Sequence, residues 1–244
     1  MRSTEDGQWG LPPAADAPVV DAPAAAPAPL PRPRPSSDAE PGGEAPGDVD
    51  AITRARVREA ATRTANAAHL FRTGRFDDAV RLFEQALATC RSMLGDDHPD
   101  TMTVAGNLGV AQFSAGNRRK GIKLIAGSVE DRARVVGDDH PMTLVARDAL
   151  AAARRVSGDA DGAVSLAQQV VRQRTRVLGA VHADTFRSRM SLALALAAAG
   201  ENRSAHRVLA STMNDAERHL GPEHPVTVAL LECGLSHGLL QQEV

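Results

Sequence analysis

A short polar segment recurs at a fixed interval along the chain, and it constrains the fold more than any other feature. The segment "LGDDHPDT" begins at residue 94, and "VGDDHPMT", "LGAVHADT" and "LGPEHPVT" begin at residues 136, 178 and 220, a step of 42 residues each time. A glycine recurs at the same step, at Gly74, Gly116, Gly158 and Gly200, and a tiny residue follows each one five positions later. Identical spacing of independent markers indicates an array of structural repeats that pack against their neighbours.

The apolar residues between these markers keep the spacing of amphipathic helices. In one copy they fall at Ala79, Leu82, Phe83, Ala86, Leu87 and Cys90. This spacing places them on one face of a helix. Each repeat is therefore predicted to be a hairpin of a shorter first helix, a glycine turn and a longer second helix. The predicted hairpins cover residues 51–95, 99–137, 141–179 and 183–221, and a capping helix covers residues 225–240.

The recurring segment has the composition of a connector between helices. Pro99, Pro141 and Pro225 stand where the next helix begins, a position that tolerates the missing N–H of proline. The histidine before the proline is predicted to lie at the N-cap, where its side chain accepts a bond from a free backbone N–H. Asp96, Asp97 and His98 are also of metal-ligand type, but consecutive residues on an extended segment point in different directions. A structural cap is therefore preferred to a metal site.

The first fifty residues differ in composition from the rest. Eleven of the fifteen prolines lie between Pro12 and Pro46, and residues 1–50 carry a net charge of −6 (9 acids, 3 bases) against +4 (21 acids, 25 bases) for residues 51–244. Such a segment cannot bury enough apolar surface to offset the entropy of ordering it. Residues 1–48 are predicted to be a disordered, partly polyproline-II tail, and residues 49–244 the repeat domain. The tract "PLPRPRP" at 29–35 also fits an SH3-type ligand, although proline-rich tails show this pattern by composition alone.

The sequence gives no signal for catalysis, a cofactor or a membrane span. No apolar run approaches the ~18 residues of a span, and the start "MRSTEDGQWG" lacks the order of a secretory signal, so a cytoplasmic protein is predicted. Cys90 and Cys233 fall on apolar helical stripes, where a thiol is usually a small hydrophobic group. Neither a nucleophile with a local base nor a glycine-rich phosphate loop is evident, so no enzyme activity and no cofactor are expected. Frequent alanine and arginine indicate a bacterial source.

Two segments carry a resemblance to a known family. "LGDDHPDTMTVAGNLGVAQFSAGNRRKGIKLI" at 94–125 and "FRTGRFDDAVRLFEQALATCRSMLGDDHP" at 71–99 resemble tetratricopeptide (TPR) repeats, and more narrowly the 42-residue repeats of the kinesin light chain type. The resemblance implies an all-α, right-handed superhelical solenoid of about four hairpins and a capping helix, whose first helices line a concave groove for a peptide or protein. Asn107 matches the family asparagine that contacts a bound peptide backbone. The equivalent residues of the other copies are Ala65, Ala149 and Ser191.

The same helical phase extends the predicted binding face. The candidate residues are Arg72, Asn107, Phe113, Ser114, Asp148, Arg155, Arg187 and Ser191. The chain has 26 arginines and only two lysines, and guanidinium groups suit carboxylate ligands, so an acidic partner is one interpretation and a solvated arginine face is the other. The basic segment "RRKGIK" at 118–123 is too short, and aromatic residues are too few, to indicate nucleic-acid binding.

Three functional hypotheses stay open. In the first, the chain is a non-catalytic interaction module that binds a partner protein or peptide through the concave face. In the second, it is a regulatory or sensor solenoid that responds to a small ligand or signalling peptide. In the third, the acidic tail folds back over the basic array and keeps it idle, through a contact that salt weakens.

Overall fold

The computed structural model describes residues 46–239 of the chain. These residues form nine α-helices joined by short connections, and no strand occurs among them. The helices are α1 (Pro46–Arg72), α2 (Phe76–Leu94), α3 (Pro99–Ser114), α4 (Arg118–Val136), α5 (Pro141–Val156), α6 (Ala160–Leu178), α7 (Ala183–Ala198), α8 (Asn202–Leu220) and α9 (Pro225–Ser236). Residues 1–45 of the predicted tail, with the tract at 29–35, and residue 240 of the predicted cap lie outside the described residues, and the disordered tail stays a prediction.

The helices pair in sequence order as four hairpins followed by α9. Each second helix packs against the first helix of its own hairpin and against the first helix of the next one. The first helices α3, α5, α7 and α9 also pack against one another in a row. Stacking of this kind, in which each unit contacts its neighbours along the chain, confirms the predicted all-α solenoid of four hairpins and a capping helix.

Two predicted boundaries differ from the observed ones. Helix α1 begins at Pro46 instead of residue 51, so it takes in residues 46–48 of the predicted tail. Proline is tolerated there because its missing N–H would have no partner in a first turn. Helix α9 ends at Ser236 instead of residue 240. The chain turns at Gly238, which has a φ of 64°, and the N–H of Leu239 donates to the carbonyl of Gly234 over 2.9 Å.

The turn between α3 and α4 shows how a glycine closes a hairpin. Gly116 has a φ of 90°, a left-handed conformation that glycine adopts without a steric penalty from a Cβ atom. The N–H of Asn117 then donates to the carbonyl of Gln112 over 2.9 Å, and α4 starts at the next residue. The turns at Gly74, Gly158 and Gly200 have φ values of 77°, 90° and 80°. The recurring glycine of the sequence is therefore the hairpin turn, as predicted.

Tiny residues set the distance between the helices of a hairpin. A Cβ atom at Gly121 of α4 would lie 2.6 Å from the backbone nitrogen of Phe113 and 2.8 Å from the carbonyl oxygen of Gly109, both in α3. Because Cβ atoms do not approach backbone atoms this closely, only glycine permits the observed crossing of α3 and α4. The equivalent residues of the other hairpins are all fully buried alanines: Ala79, Ala163 and Ala205.

The histidine of each recurring segment caps the helix that follows. Its Nδ1 accepts a hydrogen bond of 3.1–3.2 Å from the N–H two residues later. The four caps are His98 for α3, His140 for α5, His182 for α7 and His224 for α9. All four residues have extended backbone, with ψ between 137° and 142°. The predicted cap is confirmed in the three copies with a proline, and His182 caps α7 in the same way although no proline follows it.

The acidic residues of two connectors bind the second helix of the following hairpin. Asp97 accepts two hydrogen bonds from Arg134 of α4, at 2.5 and 3.2 Å. Asp139 pairs in the same way with Arg176 of α6. Val181 stands at the equivalent position of the third connector, so this ion pair cannot form there. Exposed pairs add little stability individually, and their main effect is to hold each connector against the next hairpin.

Helix α9 leaves one apolar face uncovered by the described residues. Val228, Leu231 and Leu235 are 39%, 45% and 62% exposed. The residues equivalent to Val228 in the preceding first helices are at most 2% exposed: Met102, Leu144 and Phe186. In those hairpins the second helix covers this side of the first. Helix α9 therefore presents the surface that a first helix normally buries.

Candidate partner-binding face

The packing of the hairpins leaves one side of the first helices partly open. Along α5, Val145, Ala149, Ala152 and Val156 are half-buried and recur at the three- to four-residue spacing of one helix face. Residues 42 positions away repeat this stripe on the neighbouring first helices. We call the resulting surface the first-helix face. It consists of Ala61, Ala65, Ala68 and Arg72 on α1, Thr103, Asn107, Val110 and Ser114 on α3, Val145, Ala149, Ala152 and Val156 on α5, and Arg187, Ser191, Leu194 and Ala198 on α7.

An apolar row crosses this face from helix to helix. It consists of Ala68, Val110, Ala152 and Leu194, one residue from each first helix, and we call it the central row. Ala68 is 7% exposed, and the other three residues are half-buried. Val110 packs against the core of the first hairpin and against the core around Phe113. The row is a continuation of the core that reaches the surface.

Asn107 is the only amide on the first-helix face. Its side chain is 5% exposed, and its Nδ2 has no hydrogen-bond partner among the described residues. A buried polar group without a partner costs about 1–3 kcal/mol. The predicted contact residue therefore lies beside the central row, but its Nδ2 is buried and not open to a partner.

Arg72 and Ser114 are equivalent residues on α1 and α3. Ser114 is half-buried, and its Oγ has no hydrogen-bond partner within residues 46–239. Arg72 is exposed and makes no ion pair with a described residue. Arg72 therefore presents its guanidinium to solvent at one end of the face, whereas the Ser114 hydroxyl is buried.

Phe113 does not lie on this face, which corrects the prediction. Its side chain is 5% exposed and packs in a core cluster with Ile125, Leu150 and Ala153. Successive residues of a helix are rotated by about 100°, so the step from Ser114 to Phe113 turns the side chain from the open side into the core. The equivalent Phe71 of α1 is also buried, at 4% exposure.

Asp148, another predicted site residue, forms a buried ion pair. Its Oδ2 lies 2.7 Å from Nη1 of Arg174, and the hydroxyl of Ser188 donates to it over 3.1 Å. The same Nη1 of Arg174 donates to the carbonyl of Asp184 over 2.9 Å, which ties the third hairpin to the fourth. Burial raises the pKa of Asp148 to about 6, because lost hydration outweighs the attraction of Arg174. Asp148 therefore helps to link the third hairpin to the fourth, and its oxygens have little hydrogen-bonding capacity left for a partner.

Arg132 of α4 is the equivalent of Arg174 one hairpin earlier. It is 1% exposed and donates to the carbonyls of Met102 in α3 and Met142 in α5, each over 3.2 Å. Gly106 stands where Asp148 stands in the next repeat, so the guanidinium has carbonyl partners and no carboxylate. Burial lowers the pKa of Arg132 to about 10. Neither buried arginine was predicted from the sequence, although each interrupts an apolar stripe at the position of Cys90.

The remaining predicted residues lie toward the other end of the row of first helices. Arg155 is half-buried, burial lowers its pKa, and its charge acts on Cys233 of α9. Arg187 is exposed and pairs with Asp184 over 3.1 Å, and Ser191 is half-buried. The arginines of the first-helix face are thus confined to α1 and α7, and the face is uncharged on α3 and α5 between them. This distribution does not form the arginine-lined groove expected from the sequence.

The two thiols are not activated. Burial raises the pKa of Cys90, with a further contribution from the charge of Asp100, and it raises the pKa of Cys233 to about 11. Both thiols are therefore protonated at neutral pH. Within residues 46–239, no three His, Cys, Asp or Glu side chains are placed to hold a metal ion. A search of the same residues finds no helix with the length and apolarity that crossing a membrane requires.

Comparisons with known proteins agree with this architecture. Two tetratricopeptide repeat family models match the chain, one over residues 58–124 and the other over residues 185–226. A search of curated proteins returned no match. Among solved structures, a Podosopora anserina kinesin light chain with nearly identical TPR-like repeats is 26% identical, with a TM-score of 0.63, and the match covers 76% of this chain and 90% of that one. A point variant of that protein matches equally well, over 89% of its length.

Proposed function

Because the chain is a tetratricopeptide-repeat protein, we propose that it is a non-catalytic interaction module and that it binds a segment of a partner protein on the first-helix face. The observation that carries this proposal is the apolar central row, which continues the core and yet reaches the surface.

The composition of the face also favours a binding role over a purely structural one. Val110, Ala152 and Leu194 are only half-buried although they continue the core, and apolar side chains that line a shallow surface gain free energy when a partner covers them. A cytoplasmic location and a bacterial source stay predictions from the sequence.

Site-specific photo-crosslinking tests the proposal. The full chain would carry p-benzoylphenylalanine in place of Val110 and be irradiated in its native cells. A second version would carry it in place of Gln169, an exposed residue of α6. A partner is expected to crosslink from position 110 and not from position 169.

The Val110→Ala substitution should then weaken binding of the captured partner about 10-fold, because two methyl groups worth about 0.8 kcal/mol each are lost from the central row. Asn214→Ala, on the exposed surface of α8, is the matched control and should leave binding unchanged. Equal crosslinking from both positions, or equal effects of the two alanine variants, would refute this function.

A further inference from the structure

We infer that the array bends at the interface between its second hairpin (α3 and α4) and its third hairpin (α5 and α6). The first-helix face crosses this interface, with α1 and α3 on one side and α5 and α7 on the other. A bend there changes the angle between the two halves of the face. This property belongs to the array itself, whether or not a partner binds.

The apolar core is small at this interface. One cluster of thirteen buried residues runs through α1, α2 and α3 and so holds the first hairpin to the second. The cluster that joins α3 and α4 to α5 has four buried residues, Phe113, Ile125, Leu150 and Ala153. The contact between α4 and α5 is also less extensive than the contacts of α2 with α3 and of α6 with α7. Because apolar stabilisation grows with the area buried, the second and third hairpins are held together less firmly than the first and second.

The next interface, between the third and fourth hairpins, is held by a buried polar network. Arg174 of α6 pairs with Asp148 of α5 and donates to Ser188 of α7, each over 2.7 Å. The Ser188 hydroxyl in turn donates to Asp148 over 3.1 Å. Hydrogen bonds between charged groups are about twice as strong as those between neutral groups. The network therefore fixes α7 against the third hairpin.

The residues for such a network are missing between the second and third hairpins. Gly106 and Ala146 stand at the positions of its carboxylate and its hydroxyl. Arg132, the equivalent arginine, reaches the third hairpin at the Met142 carbonyl over 3.2 Å. A neutral carbonyl is a weaker partner for a guanidinium than a carboxylate is. This interface thus has neither the large apolar core of the interface before it nor the ion pair of the interface after it.

The connector between α4 and α5 is bound to the third hairpin. Thr143 of α5 donates to the carbonyl of Gly137 over 2.8 Å, and Gln173 of α6 donates to Asp139 over 3.0 Å. The connector therefore moves with α5 and α6. Hinges are formed by a few residues at the ends of structural elements, and the hinge inferred here lies where α4 ends, at Val136.

Dipolar EPR on the full chain tests the inference. Spin labels attached through p-acetylphenylalanine leave the native cysteines unmodified. Ala88, Glu130, Arg172 and Asn214 are equivalent exposed positions on the four consecutive second helices. They give three pairs of labels, each pair one repeat apart, and of these the pair at 130 and 172 spans the hinge.

The distance distribution of the pair at 130 and 172 is expected to be about twice as broad as those of the other two pairs, because a hinge populates several angles. Equal widths in all three pairs would overturn the inference. So would a broadest distribution in either of the flanking pairs.

A double variant supplies the missing network. Gly106→Asp with Ala146→Ser gives Arg132 the carboxylate and the hydroxyl that the later interface has. A Cβ atom at Gly106 would lie 3.4 Å from Nη2 of Arg132 and 3.0 Å from Oγ of Ser128, so the Ser128 hydroxyl turns aside and the new carboxylate stands beside the guanidinium. The distribution of the pair at 130 and 172 should narrow to the width of the flanking pairs.

The converse variant is the matched control. Asp148→Gly with Ser188→Ala gives the interface between the third and fourth hairpins the residues of the earlier one. It should broaden the distribution of the pair at 172 and 214 and leave the pair at 88 and 130 unchanged. If neither double variant changes the width of its own pair, the named contacts do not control bending and the inference fails. The three pairs in the parent protein locate the bend independently of both variants.

Discussion

Arg174 and Asp148 form a buried ion pair at the joint between the third and fourth hairpins, with Nη1 and Oδ2 2.7 Å apart. Arg174→Met would leave the carboxylate without its cation and the Asp184 carbonyl without its donor. We expect the free energy of unfolding to fall by about 3–5 kcal/mol, as for other broken buried pairs. Urea denaturation measures the change. Arg172→Met, at an exposed position of the same helix, should stay within about 0.5 kcal/mol of the parent, and similar effects of the two changes would contradict the assigned role.

The pH dependence of stability should report on Asp148. Its pKa in the folded protein is about 6, above the ordinary value of 3.8, because of burial. The folded state therefore binds this proton more tightly than the unfolded state does, so the stabilisation is complete below about pH 4 and is lost as the pH rises through 6. Relative to Asp148→Asn, whose amide mimics the neutral acid, the wild type should lose about 2 kcal/mol between pH 4 and 7. A difference between the two proteins that does not vary with pH would show that the carboxyl is not buried as described.

The histidine caps can be tested at His140. His140→Ala removes the acceptor of the Met142 N–H, a bond of 3.2 Å, and should lower the free energy of unfolding by about 0.5–2 kcal/mol. His140→Asn supplies a side-chain oxygen that can cap the same helix, and it should recover most of the loss. His206→Ala, at an exposed position of α8, serves as the control in the same denaturation series. No recovery by asparagine would mean that the imidazole acts through something other than capping.

Two glycines of α4 give opposite predictions for the same substitution. Gly121→Ala places a methyl group 2.6 Å from the backbone nitrogen of Phe113, so α3 and α4 must separate, at a cost of about 1–3 kcal/mol. Gly127→Ala meets nothing within 4 Å, and it should stabilise the helix by up to about 1 kcal/mol through backbone entropy alone. Thermal unfolding of both variants checks the pair. Destabilisation by both would show that the effect comes from α4 in general and not from its crossing with α3.

The sequence was sufficient for features that depend on local periodicity. The hairpin turn at Gly116, the tiny residue at Gly121 and the cap at His140 all follow from the 42-residue step and from the dihedral preferences of single residues. The predicted position of Phe113 on the binding face was wrong. An error of one residue in assigning a helix face is enough to turn a side chain into the core. Comparison with Phe71, its buried equivalent, would have corrected the phase.

The side-chain contacts that link one hairpin to the next could not be predicted, because the residues that make them are distant in sequence. Arg132 reaches carbonyls thirty residues before it and ten after it, and nothing near Arg132 in the sequence points to those carbonyls. The pairing of Asp148 with Arg174 could not be predicted either, because it depends on the packing of α5 against α6. At Asn107 the resemblance supplied the residue, and the unused donor became visible only with its surroundings.

The open side of α9 makes this end of the array a starting point for protein design. A grafted copy of α8 would shelter Val228 and Leu231 from water, as the second helix does in the preceding hairpins. Leu235 stands where Ala193 lets α7 and α8 cross closely, so the graft requires alanine in its place. With that exchange the protein gains a fifth hairpin, and each further hairpin enlarges the surface on which new binding residues can be introduced.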